Sequence, residues 1–285
     1  MADETHDARF LSRPPPEGQP ELVPSADGGL LRCLHAGEGP AVVLAHGYLL
    51  DLAVFKLVFS ELVASGRRVI AFDQRGHGDS RAGDAGCTPE AAAADYRTIM
   101  EHFDVREGTL VAHSMGAFLG LLFCMQHGPS ARQHLARLVL LGGNAGAVAS
   151  GSLQNRLQIP LLKSGLLRPL WSYRPTGRAL IGQLFGATPD PQQVEATREM
   201  ILRQQVSASL PLLHAMIHDD HYAQLAEVPV PAQVLCGEHD RTCPRWHSER
   251  LGAEIPASAN TWIPDAGHML SYEAPEAVVA AVTTA

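Results

Sequence analysis

The chain has 285 residues, of which 46% are hydrophobic and 18% charged, a composition typical of a globular protein with an extensive core. The formal net charge of −8, without any dense run of Lys or Arg, argues against a nucleic-acid partner. No apolar run is long enough to predict a transmembrane segment, and the polar start shows no signal-peptide pattern, so the expected location is the cytoplasm.

The predicted elements begin after a polar stretch. Residues 1–20 contain three consecutive prolines and no hydrophobic periodicity, which predicts a flexible N-terminal arm. Residues 21–36 predict two antiparallel strands around a turn at residues 26–29, which reads Ala-Asp-Gly-Gly. Six short apolar runs then predict buried strands at residues 41–45, 68–72, 109–112, 138–141, 233–236 and 261–263.

Helix-like segments, such as residues 89–103 and 116–126, separate these predicted strands. Alternation of strands and helices is typical of α/β proteins, and right-handed crossovers then produce a mostly parallel, doubly wound sheet. The sequence therefore predicts an α/β fold whose core comprises residues 21–144 and 229–285.

The alternation is interrupted at residues 145–228, where leucines recur at helical spacing without a strand pattern. This segment predicts a helical lid inserted between two strands. Trp171 and Phe185 are its candidate substrate-pocket residues, because they add aromatic surface suited to an acyl or aromatic group. The alternative is a second helical layer without any ligand role.

Residues 109–118 read Thr-Leu-Val-Ala-His-Ser-Met-Gly-Ala-Phe, a strand that runs through Ser114 into a helix. Small residues on both sides of the serine are typical of a nucleophile elbow, the sharp turn that exposes a serine Oγ. Ala112 occupies the position where the usual pattern has its first glycine. A serine that only caps the helix is the alternative.

A serine hydroxyl needs a histidine to take its proton and a carboxylate to orient that histidine. Asp240 follows the predicted strand at residues 233–236, and His268 lies in a glycine-bearing loop after the last predicted strand. Asp265 is close to His268 in sequence but is expected to support the loop. Glu238 is a minority candidate for the acid.

Hydrolysis through a tetrahedral intermediate also needs donors for an oxyanion. The backbone N–H of Met115, at the start of the helix after Ser114, is one candidate. The backbone N–H of Tyr48, in the loop after the strand at residues 41–45, is the other.

The remaining polar side chains favour structural roles. His214, His218 and His221 share a predicted helix face with Asp219 and Asp220 nearby, but surface or hinge histidines explain this spacing better than a metal site. The five cysteines form no CxxC pair and are expected to be free thiols. His77 is expected to anchor its loop.

Five motifs in this order give the chain its family resemblance: His46-Gly47, residues 73–80, residues 113–117, residues 237–240 and Gly267-His268. Over about residues 21–285 the chain resembles the α/β-hydrolase fold family, in its lidded serine esterase and lipase-like branch. The resemblance implies a Ser114–Asp240–His268 triad without a metal or an organic cofactor. It also implies a structural role for the loop at residues 73–80.

The expected function is that of a serine hydrolase that cleaves a small carboxylic ester through an acyl-enzyme on Ser114. The same triad serves acyl transfer, thioester cleavage, carbon–carbon bond hydrolysis and perhydrolysis, and some proteins of this fold are non-catalytic small-molecule receptors. The sequence leaves these alternatives, the natural substrate and the oligomeric state open.

Overall fold

The computed structural model describes residues 7–284. One sheet is formed by eight strands: β1 (Gln19–Pro24), β2 (Leu30–Ala36), β3 (Ala41–Ala45), β4 (Arg68–Phe72), β5 (Gly108–His113), β6 (Leu135–Leu141), β7 (Ala232–Gly237) and β8 (Ala259–Ile263). Their order is β1-β2-β4-β3-β5-β6-β7-β8, with β2 antiparallel to both of its neighbours and every later pair parallel. The predicted mostly parallel α/β sheet is confirmed.

The helices of the core are α1 (Ala8–Leu11), α2 (Lys56–Ala64), α3 (Pro89–His102), α4 (Met115–Gln126), α5 (Gly128–His134), α11 (Arg245–Glu254), α12 (Leu270–Glu273) and α13 (Pro275–Thr283). Between β6 and β7 lie α6 (Leu153–Lys163), α7 (Leu167–Ser172), α8 (Arg174–Ile181), α9 (Pro191–Arg203) and α10 (Val206–His218). Short 3-10 helices cover Leu52–Phe55, Gly182–Leu184 and Tyr222–Glu227. The segment between β6 and β7 is therefore helical, as its leucine spacing predicts.

The central strands of the sheet are covered on both faces, which explains their continuous apolar sequences, whereas the edge strands β1 and β8 are largely exposed or half-buried. Every residue of β3 is buried. Val43 belongs to the same apolar cluster as Tyr96 of α3 on one side of the sheet, whereas Val42 and Leu44 belong to the cluster of Phe59 of α2 on the other. Because side chains alternate along a strand, both faces need apolar residues.

The chain reverses its direction across the sheet between β3 and β5. From β3 it continues outward to β4, and then it returns to place β5 on the opposite side of β3. In open α/β sheets a crevice forms at such a switch point, outside the carboxyl ends of the strands. The loops after β3 and β5 therefore meet at this edge.

The arm expected to be flexible differs from the structure over residues 7–20. Ala8 and Leu11 of α1 are buried, and Tyr272 donates a 3.0 Å hydrogen bond to the Leu11 carbonyl. Lys56 Nζ donates to the Phe10 carbonyl at 2.7 Å and lies over the Phe10 ring. These apolar side chains precede the prolines and dock the helix against the core. Residues 1–6 of the predicted arm lie outside the described residues.

Among residues 7–284, no helix combines the length and apolar character needed to cross a bilayer.

Candidate active site

Ser114 lies between β5 and α4 in a strained backbone conformation, with φ 52° and ψ −111°. A positive φ is costly for a residue other than glycine and persists only where its surroundings impose it. The Ser114 N–H donates to the Leu141 carbonyl at 3.0 Å, and the Ser114 carbonyl accepts from Ala117 and Phe118 at 2.9 and 3.1 Å. The sheet and the helix thus hold the turn from both sides.

The small residues around the turn are required by close backbone contacts. A Cβ on Gly116 would lie 2.4 Å from the Ala45 carbonyl oxygen, since α4 begins directly against the end of β3. Ala112 is fully buried in β5 and fits without glycine. The elbow pattern therefore reflects how closely α4 crosses the sheet.

Asp240 and His268 form a buried pair in the loops after β7 and β8. His268 Nδ1–H donates to Asp240 Oδ2 at 2.7 Å, and their side chains are 6% and 1% exposed, in that order. Asp240 Oδ1 accepts from the N–H groups of Thr242 and Cys243 at 2.8 and 2.9 Å. These bonds fix the carboxylate and leave Nε2 as the histidine atom free to exchange a proton.

A glycine makes room for this pair. A Cβ on Gly142, which has φ +50°, would lie 2.9 Å from both Asp240 Oδ2 and His268 Nδ1. The other two carboxylates considered from the sequence are elsewhere: Glu238 is exposed, and the Asp265 side chain is 83% exposed and lies 3.9 Å from His239. Asp240 is thus the carboxylate that the structure brings to His268.

His113, the residue before Ser114, supports the His268 backbone. Its Nε2–H donates to the His268 carbonyl at 2.9 Å, while its buried Nδ1 has no partner among the described residues. Burial holds the pKa of His113 well below its ordinary value, so the ring stays neutral beside His268. Sequence reasoning missed this role, because the carbonyl is 155 positions away.

Glu273 in α12 holds the same loop from its other side. One carboxylate oxygen accepts from Gly267 and Gly186 N–H at 3.0 and 2.6 Å, and the other accepts from Met269 N–H at 2.9 Å. Burial raises the pKa of Glu273, although these three donors favour its charged form. This carboxylate, also missed from the sequence, joins the histidine loop to the end of the insert.

Ser114 and His268 open into the same cavity, which has a volume of about 950 Å³ including its mouth. Tyr48 and Thr242 border it from the core, and the insert supplies a largely apolar wall that includes Ile159, Leu162, Leu167, Trp171, Ile181 and Met216. A concave, mainly apolar site with a few polar groups is typical of small-molecule binding. Within residues 7–284, no hydrogen bond joins Ser114 Oγ to His268; the hydroxyl lies beside the buried thiol of Cys243.

The two aromatic residues expected in the pocket have different positions. Trp171 lines the cavity, but Phe185 does not. Leu184, the last residue of a 3-10 helix, lines the cavity, whereas Phe185 is buried in the apolar core cluster. The placement of Phe185 in the pocket is therefore wrong.

The two candidate oxyanion donors lie at the edge where the loops meet. Met115 is the first residue of α4, and Tyr48 follows Gly47 in the loop after β3. Neither backbone N–H has an acceptor within the described residues. Ser209 donates to the Tyr48 phenol at 3.3 Å, and burial raises the phenol pKa to about 12, so it stays neutral.

Asn155 connects the insert to the loop that carries Asp240. Its Nδ2 donates to the carbonyls of Val148 and Thr242, both at 2.8 Å, and Ser152 Oγ donates to the Arg241 carbonyl at 2.8 Å. Two carbonyl partners fix the amide orientation. Asn155 lines the cavity, so α6 contributes both to its wall and to the support of Asp240.

The other polar clusters have structural partners. Arg75 donates to both oxygens of buried Asp95 at 2.7 Å, and buried His77 contacts the Arg75 carbonyl through Nδ1 at 3.2 Å. The imidazole rings of His214 and His218 contact each other in a tilted arrangement, with centroids 4.3 Å apart and ring planes at 43°. Among residues 7–284, no group of three His, Cys, Asp or Glu side chains suits a metal ion, and all five cysteines are free and buried.

The model of the alpha/beta hydrolase family matches residues 42–281, which include the strands and loops that carry Ser114, Asp240 and His268. The chain belongs to the alpha/beta hydrolase family. This match confirms the family resemblance and the fold predicted from the sequence. Membership of the family also supports the prediction that the protein is a hydrolytic enzyme.

Several relatives of this family are similar along most of their length. The chain is 28% identical over 236 residues to non-heme chloroperoxidase CPO-A1 of Kitasatospora aureofaciens, covering 78% of this chain and 82% of that protein. The structure of a Thermogutta terrifontis esterase has a TM-score of 0.76 at 26% identity, covering 93% and 97%. That of the Exiguobacterium antarcticum esterase has a TM-score of 0.81 at 20% identity, covering 93% and 98%.

Proposed function

We propose that the protein is a serine hydrolase that cleaves a small carboxylic ester through an acyl-enzyme on Ser114. The observation that carries the proposal is the buried Asp240–His268 pair, which opens into the same apolar cavity as the strained Ser114. A serine nucleophile, a histidine base and a carboxylate that orients the histidine are the parts that acyl transfer to a serine requires.

In the proposed reaction, Ser114 Oγ attacks the ester carbonyl while His268 Nε2 takes the hydroxyl proton. Asp240 stabilises the resulting imidazolium through the 2.7 Å hydrogen bond. The N–H groups of Tyr48 and Met115 would donate to the oxyanion. His268 then returns its proton to the departing alkoxide, and a water molecule, activated in the same way, releases the acid and restores Ser114.

The cavity wall favours an apolar acyl or aromatic group. Trp171, Leu167 and Ile181 all face the space in front of Ser114. No Lys or Arg lines this cavity in the described part of the chain, which argues against a phosphorylated or strongly anionic substrate. The insert between β6 and β7 would therefore serve as a lid that binds the acyl portion.

A panel of p-nitrophenyl esters of increasing acyl length, together with acyl-CoA thioesters, tests the proposal. Wild type is expected to hydrolyse esters, and Ser114→Ala to lose activity by about 10⁴-fold or more while remaining folded. Fluorophosphonate labelling of wild type but not of S114A would locate the nucleophile. A folded wild-type protein that neither reacts with the probe nor turns over any ester would instead indicate a receptor.

The likeness to a chloroperoxidase favours one second candidate, in which hydrogen peroxide replaces water as the acceptor. Attack by HOOH on the acyl-enzyme would release a peracid and regenerate Ser114, with His268 taking the peroxide proton. Peracid formation from acetate esters and hydrogen peroxide, measured for wild type and S114A, separates this reaction from simple hydrolysis.

A further inference from the structure

The outer surface of the insert is unusually apolar. Of the exposed large hydrophobic side chains in residues 7–284, all except Leu22 lie within residues 153–173: Leu153, Leu157, Leu161, Leu166, Leu170 and Tyr173. Leu153 and Tyr173 are 70% and 68% exposed. Scattered exposed leucines are common, but a group confined to one segment indicates an interaction surface.

Helical spacing arranges these side chains into two outward rows. Leu153, Leu157 and Leu161 are four residues apart in α6. Leu170 lies in α7, with Leu166 four residues before it and Tyr173 three residues after it, at the two caps of that helix. The opposite sides of both helices line the cavity, through Asn155 and Ile159 in α6 and through Leu167 and Trp171 in α7. The exposed rows are therefore not needed to build the cavity. We name these six outward residues the lid patch.

The segment that contains the lid patch is positively charged, whereas the whole chain has a formal net charge of −8. Of the 22 Lys and Arg residues of the chain, five lie within residues 144–189, and none of its 30 Asp and Glu residues does. Arg156 and Lys163 are exposed on α6 and form no ion pair with any carboxylate in the described chain. Arg168 donates only to the carbonyls of Gln204 and Leu202. Arg174 and Arg178 pair with Glu195. Arg156, Lys163 and Arg168 therefore form the positive rim that borders the leucines.

We propose that the lid patch docks the protein onto an anionic lipid surface. Exposed leucines beside unpaired Lys and Arg side chains suit the boundary between anionic headgroups and acyl chains. A second copy of the chain is disfavoured, because a two-fold contact through this patch would bring the same cations together. The acidic remainder of the protein would orient the patch toward the lipid.

Lipid docking can be tested by co-sedimentation with large unilamellar vesicles. Wild type is expected to sediment with vesicles of equal parts phosphatidylcholine and phosphatidylglycerol, to do so less at high salt, and to stay in solution with phosphatidylcholine alone. The variants L153Q/L157Q and R156E/K163E are each expected to bind the anionic vesicles at least about tenfold more weakly.

Matched controls come from the same chain. Leu22→Gln removes the exposed leucine of β1, and Arg132→Glu reverses an exposed charge on α5; both are expected to bind like wild type. Thermal unfolding midpoints identify any variant that is misfolded.

Absence of wild-type binding to anionic vesicles, or equal binding by the patch variants, would overturn the proposal. So would a wild-type dimer in sedimentation velocity that L153Q/L157Q dissociates, since the patch would then bind a second copy. None of these measurements depends on esterase activity.

Discussion

Asn155 Nδ2 donates a 2.8 Å hydrogen bond to the carbonyl of Thr242, whose N–H donates in turn to Asp240 Oδ1. One helix of the insert is thereby connected to the proposed catalytic carboxylate through a single intervening residue. The end of the insert is attached as well, because His268 N–H donates to the Leu184 carbonyl at 2.7 Å. Both ends of the apolar wall are thus fastened to the loops that hold the Asp–His pair.

Asn155→Ala is expected to lower kcat by about tenfold for all acyl lengths, because Asp240 loses part of its support when a buried hydrogen bond is removed. Asn155→Asp places carboxylate oxygens against two carbonyls and is expected to be worse. Steady-state kinetics over the p-nitrophenyl ester series measures both. Leu157→Ala is the control, because this residue of α6 is 63% exposed and does not line the cavity. An N155A variant with unchanged kcat would mean that Asp240 needs no support from the insert.

Asp240→Asn is expected to reduce kcat/KM by about 10³- to 10⁴-fold, because the amide cannot stabilise the imidazolium and favours the wrong tautomer. Asp265→Asn is expected to change kcat/KM less than about twofold, since its side chain is exposed and faces His239 at 3.9 Å. The same ester assay, with circular dichroism to confirm folding, compares the two. Similar losses in both variants would contradict the assignment of Asp240 as the sole acid.

Trp171 and Phe185 are expected to respond differently to truncation. Trp171→Ala removes a cavity contact and should change the ratio of kcat/KM between short and long acyl esters by about 10- to 200-fold, equivalent to roughly 1–3 kcal/mol. Phe185→Ala should leave that ratio unchanged and lower the free energy of unfolding by about 3–5 kcal/mol, because the side chain is buried in the core. Urea unfolding and the ester series separate the two effects. A selectivity change in F185A alone would place the acyl site on the other side of the insert.

Ser114, Asp240 and His268 are candidates from the sequence because each follows a short apolar run that becomes a parallel strand. β5 and β7 are largely buried, but β8 is an edge strand without a fully buried residue, so the expected burial of residues 261–263 is wrong. The predicted bounds match β3 and β4, whereas β6 begins three residues and β8 two residues earlier than predicted. Phe185 could not be placed, since apolar character predicts burial without saying which side of the chain faces the cavity. The short helix α1 and its contacts with the core are not predicted from the sequence, because the prolines that follow conceal it.

Supporting residues left no pattern in the sequence. His113, Asn155 and Glu273 act on backbone carbonyl or N–H groups, which every residue possesses. Only the folded chain determines which of those groups is near. In the sequence, Glu273 cannot be distinguished from a glutamate on the surface. Only the packing of α12 against the histidine loop shows that both of its carboxylate oxygens accept hydrogen bonds.

His247 should make the stability of the protein sensitive to acid. It is fully buried, its Nδ1 contacts the Tyr222 hydroxyl, and its Nε2 has no partner among residues 7–284. Burial lowers the pKa of His247 to about 4, whereas a histidine in the unfolded chain titrates near 6.5. Between these values the unfolded chain binds a proton that the folded one excludes. The stabilisation by neutral His247 is therefore present above about pH 6.5 and is lost as the pH falls toward 4.

The variant His247→Asn cannot bind this proton, so its stability relative to wild type is expected to improve on acidification by about 1.4 kcal/mol per pH unit between pH 6 and 4.5. Comparing the variant with wild type at each pH cancels the contributions of other groups that titrate in both proteins. One of these is Asp73, whose pKa is raised by burial to about 7 and whose protonation stabilises the folded state as the pH falls. Urea unfolding of both proteins across this range measures it. The control is His239→Asn, because the His239 side chain is 43% exposed. If the difference in unfolding free energy from wild type has the same pH slope for H247N and for H239N, the buried imidazole of His247 does not govern the acid sensitivity of the protein.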